Sequence, residues 1–350
     1  MFLRNHWYVA AWDHEIVDRP FARRILDEPI VLFRDREGGV VAMEDRCPHR
    51  RAPLSMGRLV DGGALECLYH GIRFDTSGKC VRIPSQSDIP AGMKVRTYPA
   101  VERYHWIWIW MGDPAEADPA TIPDFHYLST PDQWGAKGMV LHVKANWRLI
   151  VDNLLDLTHL ATVHESTIGN AAIAEKAENR VQRTEHGVLM MRWVMDASPP
   201  PSYVKAGGFT GNIDRWQYID FTPPAFLRLQ VGGATTGSGA GFANGPPADG
   251  IHMRNLNAIT PETETTTHYF WAQAHGFDVH NAKLTEMIFG QVKEAFLEDV
   301  AIFEGQQRVI DRDRGPPEID VAADAAQIQA RRILARLHEA EQTGRRDAAE

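Results

Sequence analysis

The sequence predicts an α+β protein of two domains. An all-β domain is expected over residues 1–125, and an antiparallel sheet flanked by helices over residues 126–350. Three observations predict this. Before residue 125 the apolar runs are short and separated by charged and Pro/Gly turns, the spacing of small β-structures. Between residues 113 and 125, Pro114, Pro119 and Pro123 mark a linker. Beyond it, alternating strand patterns lie between segments of helical period at 146–164, 284–310 and 320–342.

Taken in order, Trp7–Ala10, Arg23–Leu26, Ile30–Phe33 and Val40–Met43 read as strands. Phe74–Cys80 forms a hairpin around Thr76-Ser77-Gly78. His105–Met111 sets Trp106, Trp108 and Trp110 against Ile107 and Ile109, a strand covered on both faces whose tryptophans read as core. Gly138–Lys144 is a strand leading into the first helical segment, and residues 165–180 are polar and Ala-rich. Val181–Met195, Arg215–Val231, Met253–Ile259 and Thr266–Ala274 follow as strands. Gly232–Gly250 reads as a flexible loop, either a mobile surface segment or a lid over a pocket. No GxGxxG there opens a helix after a strand, which excludes a dinucleotide site. Asp320–Gln342 is an amphipathic terminal helix, and the polar residues 343–350 are expected to fray.

The chain has 350 residues, 44% of them apolar and 24% charged, with a net charge of -9. Without a basic block it is not expected to bind nucleic acid. The start, Met-Phe-Leu-Arg-Asn-His, lacks a signal-peptide core, and no run of about 18 apolar residues predicts a membrane span. Three cysteines argue against a disulfide scaffold and for a reducing, cytoplasmic compartment in which paired cysteines bind metal.

Two short loops carry the first chemical signal: Cys47-Pro48-His49, then seventeen residues, then Cys67-Leu68-Tyr69-His70. Two thiolates and two imidazoles suit one zinc ion or a 2Fe–2S cluster. Zinc fingers usually pair Cys with Cys and His with His. Here each loop holds one of each, as a cluster whose two irons both draw on both loops requires. Cys80 has no such partner and reads as a buried small hydrophobe.

The second signal is Asn146–His164. Ile150, Leu154, Leu157 and Leu160 mark its buried face, interrupted by Asp152, Asn153, Asp156, His159 and His164. His159 and His164 would point about 140° apart on a regular helix. They share a metal only if the helix ends or bulges between them; otherwise they are two unrelated histidines. In the 284–310 helix, Asp299 falls on the stripe of Val292, Phe296 and Phe303, whereas Glu298 is expected in solvent. A buried carboxylate needs a partner, either an ion pair or a metal. Two histidines and a carboxylate make the facial triad of non-haem Fe(II) oxygenases.

Together, C-P-H-R-R-A-P-L-S-M-G, C-L-Y-H-G-I-R-F-D, D-N-L-L-D-L-T-H-L-A-T-V-H and F-L-E-D-V-A-I-F-E-G-Q-Q resemble the Rieske non-haem iron aromatic oxygenases along essentially the whole chain. Within them, N-H-W-Y-V-A-A, D-R-W-Q-Y-I-D-F-T-P-P and I-T-P-E-T-E-T-T-T-H-Y-F-W are similar to vanillate- and dicamba-type O-demethylases. The resemblance implies a Rieske domain with Cys47, His49, Cys67 and His70 on the cluster. It also implies a helix-grip-like catalytic domain with His159, His164 and Asp299 on mononuclear iron. It places Asn153 near that iron without being a strong ligand, and makes Asp156 a bridge from His159 to a cluster histidine, His70, across a homotrimer interface. Electrons are expected from NAD(P)H through a separate flavin/iron–sulfur reductase, and the substrates are expected to be O2 and a small aromatic methoxy acid. Arg215, Trp216, Gln217, Asn257 and His268 are candidates for holding a carboxylate and a phenol. Two readings of another class are an electron-transfer protein and a zinc-stabilised binding module.

Overall fold

The computed structural model describes residues 2–60, 63–165, 167–169, 176–312, 315–316 and 318–344. It divides into two compact units, Phe2–Ile122 with Thr260–Glu264, and Pro123–Ile259 with the chain from Thr265 onward. Residues 170–175 of the polar stretch and the tail 345–350 lie outside the described residues.

The first unit is built of short strands: β1 Trp7–Trp12, β2 Phe21–Ile25, β3 Glu28–Arg34, β4 Val40–Glu44, β5 Arg58–Val60, β6 Ala64–Glu66, β7 Arg73–Phe74, β8 Cys80–Arg82, β9 Thr97–Tyr98, β10 Ala100–Arg103 and β11 Trp106–Trp110. They form three sheets, ordered β1-β11-β10, β2-β3-β4-β9 and β5-β6-β7-β8. The Trp/Ile alternation of β11 is buried at every position. Ile107 and Ile109 join a core with Tyr8, Ile25, Ile30 and Leu32. A second core holds Cys47, Cys67 and Cys80 among Phe33, Leu54, Leu65 and Phe74, so Cys80 is the buried apolar residue that its isolation predicts.

The second unit centres on a seven-stranded antiparallel sheet. Its strands are β12 Gly135–Val143, β13 Ala177–Arg183, β14 Val188–Ala197, β15 Ile213–Thr222, β16 Phe226–Thr235, β17 Ile251–Pro261 and β18 Thr267–His275, in the order β12-β18-β17-β16-β15-β14-β13. Among the described residues its α-helices are α1 Trp147–Leu155, α2 Pro201–Gly207, α3 Ala282–Arg312 and α4 Ala325–Thr343. α3 packs on β12 and β18, and α4 packs on α1, β13 and β14.

Two expectations are corrected. β13 forms within a stretch whose polar composition hid it; its residues are mostly exposed, so no apolar alternation marks them. The glycine-rich loop begins later than Gly232, because β16 runs to Thr235. Gly232 sits opposite Trp216 of β15, and a Cβ there would lie 2.2 Å from the indole ring. That glycine makes room for a neighbour's side chain and does not signal flexibility.

Trp271 fixes α3 to the sheet. It is fully buried, stacks on Phe289 at 5.2 Å and meets Phe296 edge-on at 4.8 Å. Trp271→Ala is expected to destabilise the protein by about 3–5 kcal/mol, from lost burial plus the cavity left behind. A denaturant melt reads this; a loss below about 1 kcal/mol would show that the helix is anchored elsewhere.

Candidate active site

The two Cys/His loops are built alike. In the first, Arg51 N donates to Cys47 O at 2.8 Å and Cys47 N to Ala52 O at 2.9 Å. In the second, Gly71 N donates to Cys67 O at 2.9 Å and Cys67 N to Ile72 O at 2.8 Å. Both close on a residue with positive φ, Arg51 at 61° and Gly71 at 69°. Glycine takes that conformation freely, and a Cβ on Gly71 would also press on Pro84 at 3.1 Å. The closures set Cys47 and Cys67 in the core and turn His49 and His70 outward, their Nδ1 atoms 3.2 Å apart. Burial pushes the Cys47 thiol up. Backbone N–H groups of His49 and Arg50 act the other way, and the neighbouring Cys67 sulfur adds to the rise. Two adjacent buried sulfurs and two facing ring nitrogens fit a cluster with both thiolates on one iron and both imidazoles on the other.

In the second unit, the stretch that opens on α1 breaks where two histidines need it to. Asp156 leaves the helix with φ −125° and ψ 103°, and its carboxylate caps the next turn, Leu157–Ala161, by accepting from Thr158 N at 2.9 Å. His159 and His164 thereby face one point. Behind them Gly169 N donates to His164 O at 2.9 Å; a Cβ on Gly169 would lie 1.7 Å from the Leu160 carbonyl oxygen.

Asp299 on α3 completes the group. Its Oδ1 lies 3.1 Å from His164 Nε2 and 3.7 Å from His159 Nε2, and one ligand atom from each of the three residues lies within 4.8 Å of the others. His164 is 1% exposed and Asp299 4%. Each ring is held from behind. His159 Nδ1 lies 2.6 Å from the backbone oxygen of Asp156. A carbonyl only accepts, so Nδ1 carries the proton and Nε2 presents its lone pair. His164 Nδ1 lies 2.7 Å from Glu298 Oε2, which makes the same assignment. Asn153 Nδ2 donates to Asp299 Oδ1 at 3.1 Å, while its buried Oδ1 has no partner.

Glu298 corrects the sequence reading. It is not a solvated neighbour of Asp299, since it accepts from His164 and, at 3.1 Å, from Thr167 Oγ1. A ligand histidine needs an acceptor on its far nitrogen, and that need was the available signal. Glu298→Ala is expected to weaken iron binding about 10–100-fold, and Glu298→Gln, which keeps an acceptor, to recover part of it. Iron titration of the purified variants reads this; equal affinities would leave Glu298 a capping residue only.

A cavity with an empty volume of about 760 Å³, its open mouth included, is lined by the triad, Asn153, Arg215 and Gln217 and by apolar walls including Leu154, Leu157, Val231 and Phe296. Of the five pocket candidates, Arg215 and Gln217 line it. Trp216 alternates to the other face of β15, packed near Trp193 and His252. Asn257 is a buried structural link, donating to Leu227 O and Asn255 Oδ1 and accepting from Tyr269 OH at 2.6 Å. His268 is outside the lining and stands 5.5 Å from the His142 ring. Sequence reasoning missed Tyr203, Ser202, Asn255 and Gln273, which also line the cavity.

The fold and these two centres define a Rieske non-haem iron oxygenase. Residues 6–99 match the Rieske [2Fe-2S] domain, and residues 143–340 match the vanillate O-demethylase oxygenase C-terminal domain. The chain belongs to that vanillate O-demethylase-like family of Rieske oxygenases. It is 44% identical to the iron–sulfur subunit of a toluene-4-sulfonate monooxygenase system from Comamonas testosteroni, over 98% of this chain and 99% of that one. It is 37% identical to a vanillate O-demethylase oxygenase subunit from a Pseudomonas species, over 98% and 96%. A crystal structure of dicamba monooxygenase bound to dicamba superposes with a TM-score of 0.89 at 34% identity, covering 98% of this chain and 99% of the other. Among the described residues no helix is long and apolar enough to cross a membrane.

Proposed function

We propose that this chain is the terminal oxygenase component of an aromatic O-demethylase. It takes two electrons from a separate NAD(P)H-dependent reductase and hydroxylates the methoxy methyl of a methoxybenzoate such as vanillate. One observation carries the reading: His159, His164 and Asp299 converge on the wall of a largely apolar cavity. His159, His164 and Asp299 would hold a ferrous ion, which would supply the oxygen activation.

The chain's own groups do the rest. Asp156 O and Glu298 keep both Nδ1 protons in place, so both Nε2 atoms stay available. Leu154, Leu157 and Phe296 exclude water and hold the ring. Cys47, Cys67, His49 and His70 would hold a 2Fe–2S cluster, which would supply electrons one at a time. In the overall balance one oxygen atom enters a methyl C–H bond. The other leaves as water with two electrons and two protons. The hemiacetal then collapses to a phenol and formaldehyde.

Formaldehyde release from a panel of methoxybenzoates, with a matched reductase, tests this. A second reading, hydroxylation of a ring methyl, is favoured by the higher identity to the toluene-4-sulfonate subunit, 44% against 37%. It gives a benzylic alcohol and no formaldehyde. A cis-diol from the ring would overturn both readings.

We assign Asp156 a further role in a homotrimer, linking His159, held by its backbone oxygen, to a cluster histidine across the subunit interface, His70, which its carboxylate would accept from. Within one chain its two oxygens accept from Thr158 N and Oγ1. Asp156→Asn preserves that cap, so both metals should stay bound while turnover falls about 10–100-fold. Near-normal turnover removes the bridge.

A further inference from the structure

The cavity holds a group that the iron chemistry does not use. Arg215 on β15 is 5% exposed and lines the same cavity as the triad. Its Nη2 makes one long bond, 3.4 Å, to Ile168 O, and its guanidinium carbon lies 4.7 Å from the centre of the Tyr203 ring. Its Nε and Nη1 are buried and meet no acceptor among the described residues. Tyr203 and Ser202 line the same cavity, and their hydroxyls are likewise buried without a partner among the described residues.

A buried guanidinium is costly unless an anion or several acceptors answer it. Among the described residues lining the cavity, Arg215 is the one fixed cation and Asp299 the one carboxylate, and Asp299 is committed to the triad. Among the described residues no carboxylate forms an ion pair with Arg215. Its charge is felt by Arg192, whose pKa is held down to about 10, first by burial and then by Arg215. Several unanswered donors on residues that line one apolar chamber suit an anion with more than one oxygen.

We infer that Arg215, with the hydroxyls of Tyr203 and Ser202, forms an oxyanion subsite that takes the sulfonate or carboxylate of an aromatic substrate and so sets which end of the ring faces the triad. This rests on the cavity being the substrate site of the proposed oxygenase. It adds the residues that select the anionic group and the expectation that a neutral isostere binds more weakly. A sulfonate, with three oxygens, matches this donor-rich set more fully than a carboxylate does. Gln217 Oε1, buried without a donor, is an acceptor that an anion cannot answer. It suits a hydroxyl on the same ring.

Equilibrium binding to the metal-loaded full chain, without reductase or O2, tests the subsite. The probes are toluene-4-sulfonate, 4-methylbenzoate and the near-isosteric neutral toluene-4-sulfonamide. The wild type should bind the anions at least about tenfold tighter than the sulfonamide, the scale of charge-assisted hydrogen bonds. Arg215→Met should erase that preference while keeping sulfonamide binding. Tyr203→Phe, which keeps the ring beside Arg215, should lower anion affinity about threefold or more. Retained cluster absorbance reports folding in each variant.

A wild type with no anion preference, or an Arg215→Met protein that keeps one, overturns the subsite. If the sulfonate outranks the carboxylate, the site is matched to sulfonates; the reverse order assigns it to carboxylates. Because binding is read without turnover, the two readings fail separately. Arg215-dependent binding with no methyl oxidation sinks the oxygenase reading alone. Turnover without anion preference sinks the subsite alone.

Discussion

Asp299→Ala is expected to abolish binding of the mononuclear iron and all turnover while leaving the cluster's visible absorbance unchanged. Its Oδ1 lies 3.1 and 3.7 Å from the two imidazole Nε2 atoms. Loss of a supporting residue around a metal costs about 10–100-fold in affinity, so loss of one of three ligands should exceed that. The alternative role for a buried carboxylate, a structural ion pair, makes a different prediction. Removing one member of such a pair destabilises by about 3–5 kcal/mol. Among the described residues no Lys or Arg lies within salt-bridge distance of Asp299, whose partners are Asn153 and the two histidines. Alanine should therefore cost the metal-free protein less than that, since Asp299 answers an amide and two imidazoles and no fixed cation. Iron content and a denaturant melt, measured on one preparation, separate the roles. Unchanged iron content takes Asp299 out of the site, and a large loss of stability makes it structural.

How much of this was legible depends on whether the deciding contact is local. The spacing of His159 and His164 states its own condition, a break in the helix, and Asp156 supplies the break. Asp299 shows as a polar residue on an apolar stripe, and it is buried at 4% exposure. The Cys/His loops are short and self-closing, so their role follows from a few adjacent residues. Glu298 was not legible in this way. Being next to Asp299 it should point elsewhere, yet His164 and Thr167 come from a distant segment to meet it. The pocket residues fail for the same reason. Alternation along β15 separates Arg215 and Gln217 from Trp216, but which face holds the cavity is decided by packing on the other elements. Gly232 reads as a loop residue because the indole it accommodates lies on the neighbouring strand.

Cys67→Ala is expected to remove the visible absorbance of the cluster and, with it, reductase-dependent turnover; His49→Ala should do the same. Cys67 sits at 1% exposure in a core with Cys47, Leu65 and Phe74, and alanine is smaller and apolar, so the fold of the first unit should survive. The chemistry should not. A 2Fe–2S centre with two Cys on one iron and two His on the other loses a terminal ligand in either variant. The Nδ1 atoms of His49 and His70 face each other 3.2 Å apart, so a cluster there would take one ligand from each ring and neither could replace the other. The mononuclear triad lies in the other compact unit and should still bind one ferrous ion in both variants. That separates this outcome from general misfolding. A zinc site in these loops would behave otherwise. The wild type would be colourless with zinc in stoichiometric amount, and the variants would lose zinc without any change in spectrum. That result would leave the triad with no route for electrons and end the assignment as an oxygenase.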